Sequence, residues 1–407
     1  MPSEVTAFNP FDPRILENPY PFYEELRRED PVCFVPGMAV RVITRYADNK
    51  FALTNPALFS SAHLADMFKG EYDPVPEPGI LMQSSDPPEH TRLRRLISQA
   101  FTPKAVEDLR PAVEGFVDDA IARMRVAAEF DFNELLGQAL PVQTFFTMAG
   151  VPQSLHAQCK AWSDASNEAF RYTVGAQTPD PETHARLRRM IDEYGQFLRD
   201  LVADREANPS HDLATGLVQA LDKDDRLTEV EVRKLLGLLV SAGTESTEKL
   251  LANMVLAFAR HPDQYRRVVQ ERSLIPSAVK EVLRYDGAAL HMGRRVTEDV
   301  ELSGTVLPAG SDCMLAFGAA NHDPDEFDDP EVFDVMRDPK GVLGHHMGFG
   351  YGVHRCLGAH LATLQAETVL AKLADAFPDG WTCDPDKIVR DGSFFVRGPV
   401  RLIVAPN

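Results

Sequence analysis

The sequence predicts a mainly α-helical fold with small β-sheets. Four long segments repeat their apolar residues at helical spacing. They cover residues 104–127, 184–206, 228–260 and 357–374. The alternating pattern of a strand occurs only in short pieces, such as VRVIT at 40–44 and RLIVA at 401–405. No repeat or glycine/serine-rich linker interrupts the pattern, so we predict that residues 1–407 form a single domain.

The charge and composition exclude several classes of protein. The formal net charge of −19 disfavours a nucleic-acid surface, because such a surface normally carries a basic footprint. The N-terminus lacks the regions of a signal peptide, and no apolar stretch approaches the roughly 18 residues of a membrane span. Five cysteines without a paired spacing argue against a disulfide framework. We therefore expect a soluble, cytoplasmic protein without a membrane segment.

The stretch from Gly70 to Pro88 is rich in proline and glycine, acidic and weakly periodic. Such a composition is typical of a surface loop or lid rather than of a packed element. We leave its function open at this point.

The segment at 228–260 predicts a helix about 50 Å long, since an α-helix rises ~1.5 Å per residue. Thr228 and Glu231 have the spacing of a capping box at its start. A helix of this length can cross the molecule and serve as its structural spine.

The middle of this predicted helix contains the unusual stretch SAGTEST, residues 241–247. Gly243 costs a helix up to ~1 kcal/mol relative to alanine, and polar residues follow it within an otherwise apolar run. The simplest interpretation is a helix-packing contact at Ala242 and Gly243, with Glu245 facing solvent.

A single cysteine lies among glycines and basic residues in FGYGVHRCLG, residues 349–358. A lone cysteine is most often a small buried hydrophobe. Here, however, Gly350, Gly352 and Gly358 allow a positive φ and a close approach of the backbone to a flat ligand. The helix predicted to follow places its positive end near the sulfur of Cys356, which favours the thiolate and therefore metal binding.

Two other roles for Cys356 fit the sequence less well. A zinc site needs further ligands at a characteristic spacing, and the adjacent His345 and His346 are poorly placed to complete a tetrahedron. A catalytic nucleophile needs a base such as His354, whose side chain we expect to point elsewhere from an extended bulge. Ligation of haem iron by one thiolate fits best.

The same stretch resembles the haem-binding signature of the cytochromes P-450, which are haem-thiolate monooxygenases. Every fixed position of the pattern Phe-Gly-x-Gly-x-His/Arg-x-Cys-x-Gly matches. The resemblance implies a cytochrome P-450 fold with a long central helix over a buried haem b. It implies that Cys356 is the axial ligand, that Phe349 packs beside the sulfur, and that the amides around Leu357 and Gly358 donate to it.

The resemblance also implies partners for the two haem propionates. In DPPEHTRLRR, His90 and Arg94 lie at i and i+4, on one face of a predicted helix. The family pattern assigns both to the propionates, together with Arg294 and His354, because charge-assisted hydrogen bonds favour these residue types. Arg295 is an adjacent alternative to Arg294. The competing interpretation of the arginine run is a solvated basic helix face.

For SAGTEST, the resemblance implies a site for oxygen activation. It places Ala242 and Gly243 at the oxygen site, where the motif opens a groove, and gives Glu245 and Ser246 the roles of proton-delivering acid and alcohol. Ser246 departs from the usual threonine: serine keeps the hydroxyl but loses the methyl group that restricts its rotamers. Thr247 is a second hydroxyl that could share the role.

Two further pieces of sequence support the fold more than the chemistry. Glu281 and Arg284 lie at i and i+3, and the resemblance implies that they form a buried structural pair. The resemblance extends to the segment at 321–337, which precedes the cysteine loop. Its expected packing residues are Phe327, Pro330, Phe333 and Arg337.

The resemblance runs from NPYPFYEELR near the start to RGPVRLIVAP near the end, and it implies an enzyme of the soluble bacterial type. We expect a monomeric, ferredoxin-dependent monooxygenase that hydroxylates or epoxidises a hydrophobic small molecule with O2. Its electrons would come from NAD(P)H through a reductase and a ferredoxin. We expect Arg92 and Arg95 to be exposed on the predicted helix, and they are, with Arg355, candidates for the docking site of an acidic ferredoxin.

Two other functions remain open on the sequence. A peroxide-driven peroxygenase shares the haem thiolate, although Glu245 and Ser246 do not match its usual substrate-binding arginine pattern. A non-catalytic haem-thiolate gas or redox sensor would need neither a proton relay nor a substrate pocket.

By family position, the substrate pocket is lined by the lid from Ala65 to Leu81 and by a mostly apolar set of side chains, which predicts a hydrophobic substrate. The set consists of Leu239, Ala242, Ala289, Leu290, Met292, Phe394 and Phe395.

Overall fold

The structure is a computed structural model, and it describes five stretches of the chain. These are residues 8–67, 72–174, 178–222, 225–337 and 341–407. The predicted lid falls partly outside the described residues, because 68–71 are not among them.

Helices make up most of the described chain. They are α1 Pro13–Glu17, α2 Tyr20–Glu29, α3 Tyr46–Thr54, α4 Glu89–Ser98, α5 Pro103–Glu107, α6 Arg110–Met124, α7 Ala139–Met148, α8 His156–Val174, α9 Pro181–Ala207, α10 Leu213–Val218, α11 Glu229–Arg260, α12 Pro262–Gln270, α13 Ile275–Tyr285, α14 Phe317–Ala320 and α15 Ala359–Ala376.

The strands are short and form small sheets. They are β1 Val32–Val35, β2 Val40–Ile43, β3 Phe59–Ser60, β4 Phe130–Asp131, β5 Leu221–Asp222, β6 Asp225–Arg226, β7 His291–Val296, β8 Val300–Leu302, β9 Thr305–Leu307, β10 Asp312–Ala316, β11 Trp381–Cys383, β12 Val389–Arg390, β13 Pro399–Arg401 and β14 Ile403–Pro406. The largest sheet has the order β1-β2-β10-β7-β3, with β2 and β10 parallel. The predicted class, mainly α with small β-sheets, is confirmed.

The chain divides into two compact units. Unit 1 comprises Met1–Ser60, Val113–Leu140 and Ser246–Asn407, and unit 2 comprises Ser61–Ala112 and Pro141–Glu245. The boundaries at 112/113, 140/141 and 245/246 lie inside α6, α7 and α11 respectively. None of these three boundaries falls in a loop that could act as a linker. The continuous helices therefore favour the prediction of a single domain spanning 1–407.

The four predicted helices are present, with one break. The segment predicted as 104–127 is divided into α5 and α6. Pro111 explains the break, because a proline has no amide hydrogen to donate to the carbonyl of Glu107 and its ring would collide with that carbonyl. The capping box of the long helix is confirmed: the Thr228 amide donates to the Glu231 carboxylate over 2.8 Å, and the Glu231 amide donates to Thr228 Oγ1 over 3.2 Å.

The two predicted strands differ in outcome. VRVIT forms β2, whereas RLIVA is interrupted at Leu402 and falls into β13 and β14. The interruption arises because the Leu402 carbonyl accepts a hydrogen bond from the amide of Phe132 over 2.9 Å. The chain changes partners at this residue, since β13 pairs with β12 while β14 pairs with β11 and β4.

A buried ion pair in unit 1 fixes the segment that leads to the cysteine loop. Arg284 donates to both carboxylate oxygens of Glu281 over 2.8 Å, and both side chains are fully buried. Arg284 also donates to the carbonyl of Asn321, and Arg337 donates to Glu281 over 3.3 Å. Phe327 and the other predicted packing residues lie in this region, so the expected structural role of the pair is confirmed.

Among the residues that the structure describes, no helix combines the length and hydrophobicity needed to cross a bilayer.

Candidate functional site

The cysteine loop of unit 1 is a tight structure just before α15. The Cys356 amide donates to the carbonyl of Phe349 over 2.8 Å, which closes the loop, and the Gly350 amide donates to the carbonyl of Met347 over 2.9 Å. Helix α15 begins at Ala359, three residues after the cysteine. The sulfur therefore lies at the N-terminal end of this helix, where the helix dipole favours a thiolate.

Two glycines give the loop its path. Gly350 has φ of 66° and Gly352 has φ of 69°, as predicted for this stretch. A Cβ atom added at Gly352 would lie 2.1 Å from the backbone oxygen of Leu53 in α3, so the loop can approach this helix only with glycine there. The expectation is wrong for Gly358, which has φ of −80° and caps α15.

Cys356 differs from the other cysteines in its surroundings. It is exposed, whereas Cys33, Cys159 and Cys313 are buried and Cys383 is half-buried. Burial raises the pKa of each of these four other thiols to about 12, which keeps them protonated at neutral pH. Only a thiol that can ionise makes a good metal ligand, so these four are poorly suited to ligation.

The loop is tied to the buried ion pair through one asparagine. The carbonyl of Asn321 accepts from Arg284, and its side-chain oxygen accepts from the amide of Met347 over 2.6 Å. Met347 is buried in the core beside the five-stranded sheet, and its carbonyl in turn receives the Gly350 amide. Our sequence analysis missed Asn321; the only available signal was a polar residue opening the segment NHDPDEF before the loop.

The basic residues predicted near the haem occupy different positions within unit 1. Arg294 lies on β7, is 4% exposed and donates to the carbonyl of Gly293 over 2.7 Å. Its neighbour Arg295 is exposed and makes a two-pronged ion pair with Asp312, at 2.7 and 2.8 Å. Arg295 is therefore already paired with a carboxylate at the surface. His354 lies in the 3-10 turn Gly352–His354, inside the cysteine loop.

Helix α4 of unit 2 carries the other predicted propionate partners. His90 is buried in its first turn, and Arg94 follows one turn later, half-buried. The helical spacing that places both on one face is confirmed.

The other two arginines of α4 are engaged with acidic residues of the same unit. Arg92 contacts Asp225 at 3.3 Å and also pairs with Glu231, while Arg95 contacts Asp225 at 3.2 Å. The expectation that Arg92 is exposed is wrong, since its side chain is only 28% exposed. Arg355 in the cysteine loop remains exposed.

The stretch SAGTEST is helical throughout, within an uninterrupted α11. Ala242 is exposed, and Gly243, Glu245 and Ser246 are half-buried, whereas Thr247 is buried. A Cβ atom at Gly243 would make only an ordinary contact, 3.8 Å from Phe145. Packing against Phe145 therefore does not require glycine here.

The pocket residues predicted in unit 1 come together on two segments. The amide of Leu290 donates to the carbonyl of Phe395 over 2.9 Å, and Ala289 forms a β-bridge with Val396. Met292 is exposed at the start of β7. Phe394, by contrast, is buried in the core of unit 1, where it contributes to packing. In unit 2, Leu239 is buried on α11.

His291 is a buried residue that our sequence analysis did not single out. Its ring stacks on Phe394 with centroids 4.0 Å apart, and its nitrogens lie 3.0 Å from the Tyr23 hydroxyl and from the Phe394 carbonyl. Burial lowers the pKa of His291 to about 4. The folded protein therefore holds this histidine neutral at a pH where the unfolded chain would protonate it.

This histidine is expected to make stability depend on pH. Because its folded pKa lies below the unfolded value near 6.5, its contribution is complete above pH ~6.5 and is lost as the pH falls towards 4, by about 3 kcal/mol. Urea unfolding of the wild type and of His291→Gln, measured from pH 7 to pH 4, checks this. The free energy of unfolding should fall more steeply for the wild type, and parallel curves would contradict the expectation.

Comparison with known proteins identifies the family. The cytochrome P-450 family model matches residues 17–387. Cytochrome P-450 107B1 of Saccharopolyspora erythraea is 34% identical, with 99% of each chain covered. Vitamin D(3) 25-hydroxylase of Pseudonocardia autotrophica is 33% identical over 97% of this chain and 95% of its own. The solved structure of CYP109Q5 from Chondromyces apiculatus has a TM-score of 0.87, with 28% identity and 99% of each chain covered.

The chain belongs to the cytochrome P-450 family. It is a monooxygenase whose cofactor is haem b, bound through a cysteine thiolate. Members of this family use O2, redox partners and a hydrophobic substrate.

The residues of the cysteine loop fit this cofactor. The loop offers one exposed sulfur donor, at the N-terminal end of α15. Arg294 supplies a buried cation of the kind that a carboxylate needs as a partner.

Proposed function

We propose that Cys356 is the cysteine that ligates the haem iron. One observation carries the proposal: Cys356 is the exposed cysteine, held at the start of α15 by a loop that is bonded to the core. Phe349 and Gly358 flank the sulfur within the same loop, and we assign them to its packing and to hydrogen bonding through the backbone. His90, Arg94, Arg294 and His354 are assigned to the propionates, as the charge of these residue types supports.

We propose that the enzyme hydroxylates or epoxidises a hydrophobic small molecule. When bound, haem b supplies the activation of dioxygen with two electrons. The task of the polypeptide is then to deliver protons and to exclude bulk water. We assign proton delivery to the carboxylate of Glu245 and the Oγ atom of Ser246, with Thr247 as a second hydroxyl. Ala242 and Gly243 supply the small surface at which oxygen is accommodated, consistent with the accessibility of Ala242.

Variants of the acid–alcohol pair are expected to change the coupling of electron use to product. Ser246→Ala and Glu245→Gln should lower the yield of product per NADH, and Glu245→Gln should slow turnover about 10²-fold, a typical contribution of a general acid. Ser246→Thr should raise the yield, because the added methyl group restricts the hydroxyl rotamer. The measurement is product, hydrogen peroxide and NADH in the same reaction.

The exposed Ser273, whose hydroxyl donates to Glu271, provides the matched control. Ser273→Ala should leave the yield unchanged. If Ser246→Ala keeps the wild-type yield, the proton-delivering hydroxyl is that of Thr247 or belongs to a residue outside this motif.

The substrate class is proposed from the lining. Leu239, Ala289, Leu290, Met292 and Phe395 are apolar, and apolar lining favours an apolar ligand. The relative named vitamin D(3) 25-hydroxylase makes vitamin D(3) the first molecule to screen.

We propose that electrons reach the enzyme from NAD(P)H through a ferredoxin reductase and a ferredoxin. We also propose a cytoplasmic monomer. Among the docking candidates, the exposed Arg355 has the strongest support, since it lies beside Cys356. Arg95, 44% exposed, would have to exchange Asp225 for an acidic partner.

The test is reconstitution with a surrogate ferredoxin, its reductase, NADPH and O2, with a panel of hydrophobic molecules. Product that requires NADPH supports the proposal. Product formed with hydrogen peroxide but not with NADPH would make the enzyme a peroxygenase. The absence of product with both, together with a haem spectrum that responds to gas ligands, would favour the sensor.

A further inference from the structure

The described part of the predicted lid in unit 2 lies largely at the surface, as its composition predicts, but it also makes close contacts with α9 and α11. Val75 is 1% exposed, and Tyr72 packs against the cluster formed by α8 and α9. A Cβ atom at Gly195 in α9 would lie 2.4 Å from the backbone oxygen of Pro74, so the two backbones are in direct contact. The stretch 72–79 is therefore anchored within its unit.

Two adjacent cations on α11 hold this stretch. Lys234 is 6% exposed, and its Nζ lies 3.3 Å from Asp73 Oδ2 and also donates to the carbonyl of Val75. Arg233 is 4% exposed and donates to Glu77 Oε1 over 3.0 Å. Arg233 also lies 3.2 Å from Glu229, one turn earlier in the helix.

The geometry around Asp73 makes the first contact specific. One oxygen of its carboxylate accepts the amide of Val75 over 2.8 Å, which forms a turn, while the other faces Lys234. Lys234 therefore binds both the side chain and the main chain of one turn. A buried ammonium loses its solvation, so removing its carboxylate is expected to cost far more than breaking a pair at the surface.

A close steric contact accompanies the ion pairs. A Cβ atom at Gly79 would lie 2.9 Å from Val230 and 3.1 Å from Lys234, both on α11. The start of α11 thus holds the stretch at three successive points: Asp73, Glu77 and Gly79. The same helix carries Leu239 and Ala242 further along, where we propose the pocket.

We infer that Lys234 and Arg233 are positioning residues that set substrate specificity. They fix the described part of the predicted lid, residues 72–79, against α11, and thereby set which ligands the pocket accepts. The inference rests on the proposed function, because it takes 72–79 to line the substrate pocket. Neither residue is assigned contact with substrate or cofactor.

The test begins with Lys234→Met, which removes the charge and keeps the length of the side chain. Hydrogen exchange of the amides at 72–80 should become at least about 10-fold faster, because local opening becomes easier. Dissociation constants for a panel of apolar ligands should then change by different factors, about 5-fold or more for some. The ranking of the ligands by affinity should therefore change. Lys234→Arg, which keeps the charge, should restore most of both properties.

Arg205→Met is the matched control in the same unit. Arg205 is 13% exposed and pairs with Asp212 at 2.6 Å. It should leave exchange at 72–80 and the order of ligands unchanged. If Lys234→Met does not fold, Glu77→Gln removes the 40% exposed partner of Arg233 and should give the same changes at smaller size.

Unchanged exchange at 72–80, or faster exchange with an unchanged order of ligands, would overturn the inference. The carbon monoxide difference spectrum and NADPH-dependent turnover of the wild type test the proposed function separately. The inference can therefore fail while the monooxygenase assignment stands.

Discussion

Replacing Cys356 by serine is expected to abolish the far-red-shifted Soret maximum that the carbon monoxide complex of the reduced wild type should show. A hydroxyl is a much weaker donor than a thiolate, and the shift depends on thiolate ligation. Monooxygenase activity should fall by more than about 10²-fold, since even the loss of an outer partner of a metal ligand costs up to that factor. The measurement is the difference spectrum with haem content determined in parallel.

Cys383→Ser is the matched control, because Cys383 is half-buried and burial raises the pKa of its thiol to about 12. This variant should keep the wild-type spectrum. A far-red-shifted Soret band retained in Cys356→Ser would assign the ligand to another residue, and the proposed site would have to be rebuilt.

Glu281→Gln is expected to destabilise the fold by about 3–5 kcal/mol, the usual cost of breaking a fully buried ion pair. The substitution leaves Arg284 without its carboxylate and also weakens the contacts of Glu281 with Arg337 and with the amide of Asp334. Total stability of a typical domain is only about 5–15 kcal/mol. Chemical unfolding and haem content, measured together, check this.

Glu107→Gln provides the comparison, because Glu107 and Arg110 form an exposed pair at the same i, i+3 spacing. Its cost should stay below about 1 kcal/mol. Similar costs for the two variants would mean that Glu281 and Arg284 contribute no more than a surface pair. We further expect Glu281→Gln to loosen the cysteine loop, because Arg284 reaches Met347 through Asn321.

The long helix could be predicted closely because its signals are local. Its start follows from the capping box of Thr228 and Glu231, and its course follows from apolar periodicity. The break between α5 and α6 was missed, although Pro111 alone was enough to place it. The interruption at Leu402 could not be predicted, since it depends on a bond to Phe132, which is distant in sequence.

The stretch 72–79 of the predicted lid makes contacts that composition alone does not predict. An acidic stretch rich in proline is typical of a solvated loop, but Asp73 and Glu77 meet cations 161 and 156 positions away. Local periodicity carries no information about such pairs. The same reason explains why Arg92 was taken as exposed, since its partners Asp225 and Glu231 lie beyond any helical spacing.

The sequence motif of the candidate site could be predicted, but the tertiary contacts that hold the cysteine loop in place could not. The spacing around Cys356 specified the loop, and the positive φ angles of Gly350 and Gly352 follow from it. The contribution of Asn321 and the close approach to Leu53 are tertiary facts that one sequence does not contain.

The boundaries of the two units inside helices restrict how this enzyme can be recombined with its relatives. A chimera joined at 245/246 would fuse two half-helices of different parentage within α11, between Glu245 and Ser246. The buried faces of the two half-helices would then have to stay in register across the proposed proton-delivery motif. Crossovers at 60/61, where β3 ends and no helix is cut, should give folded hybrids more often. Shuffling libraries built from this chain should therefore recover junctions there in preference to those inside α11.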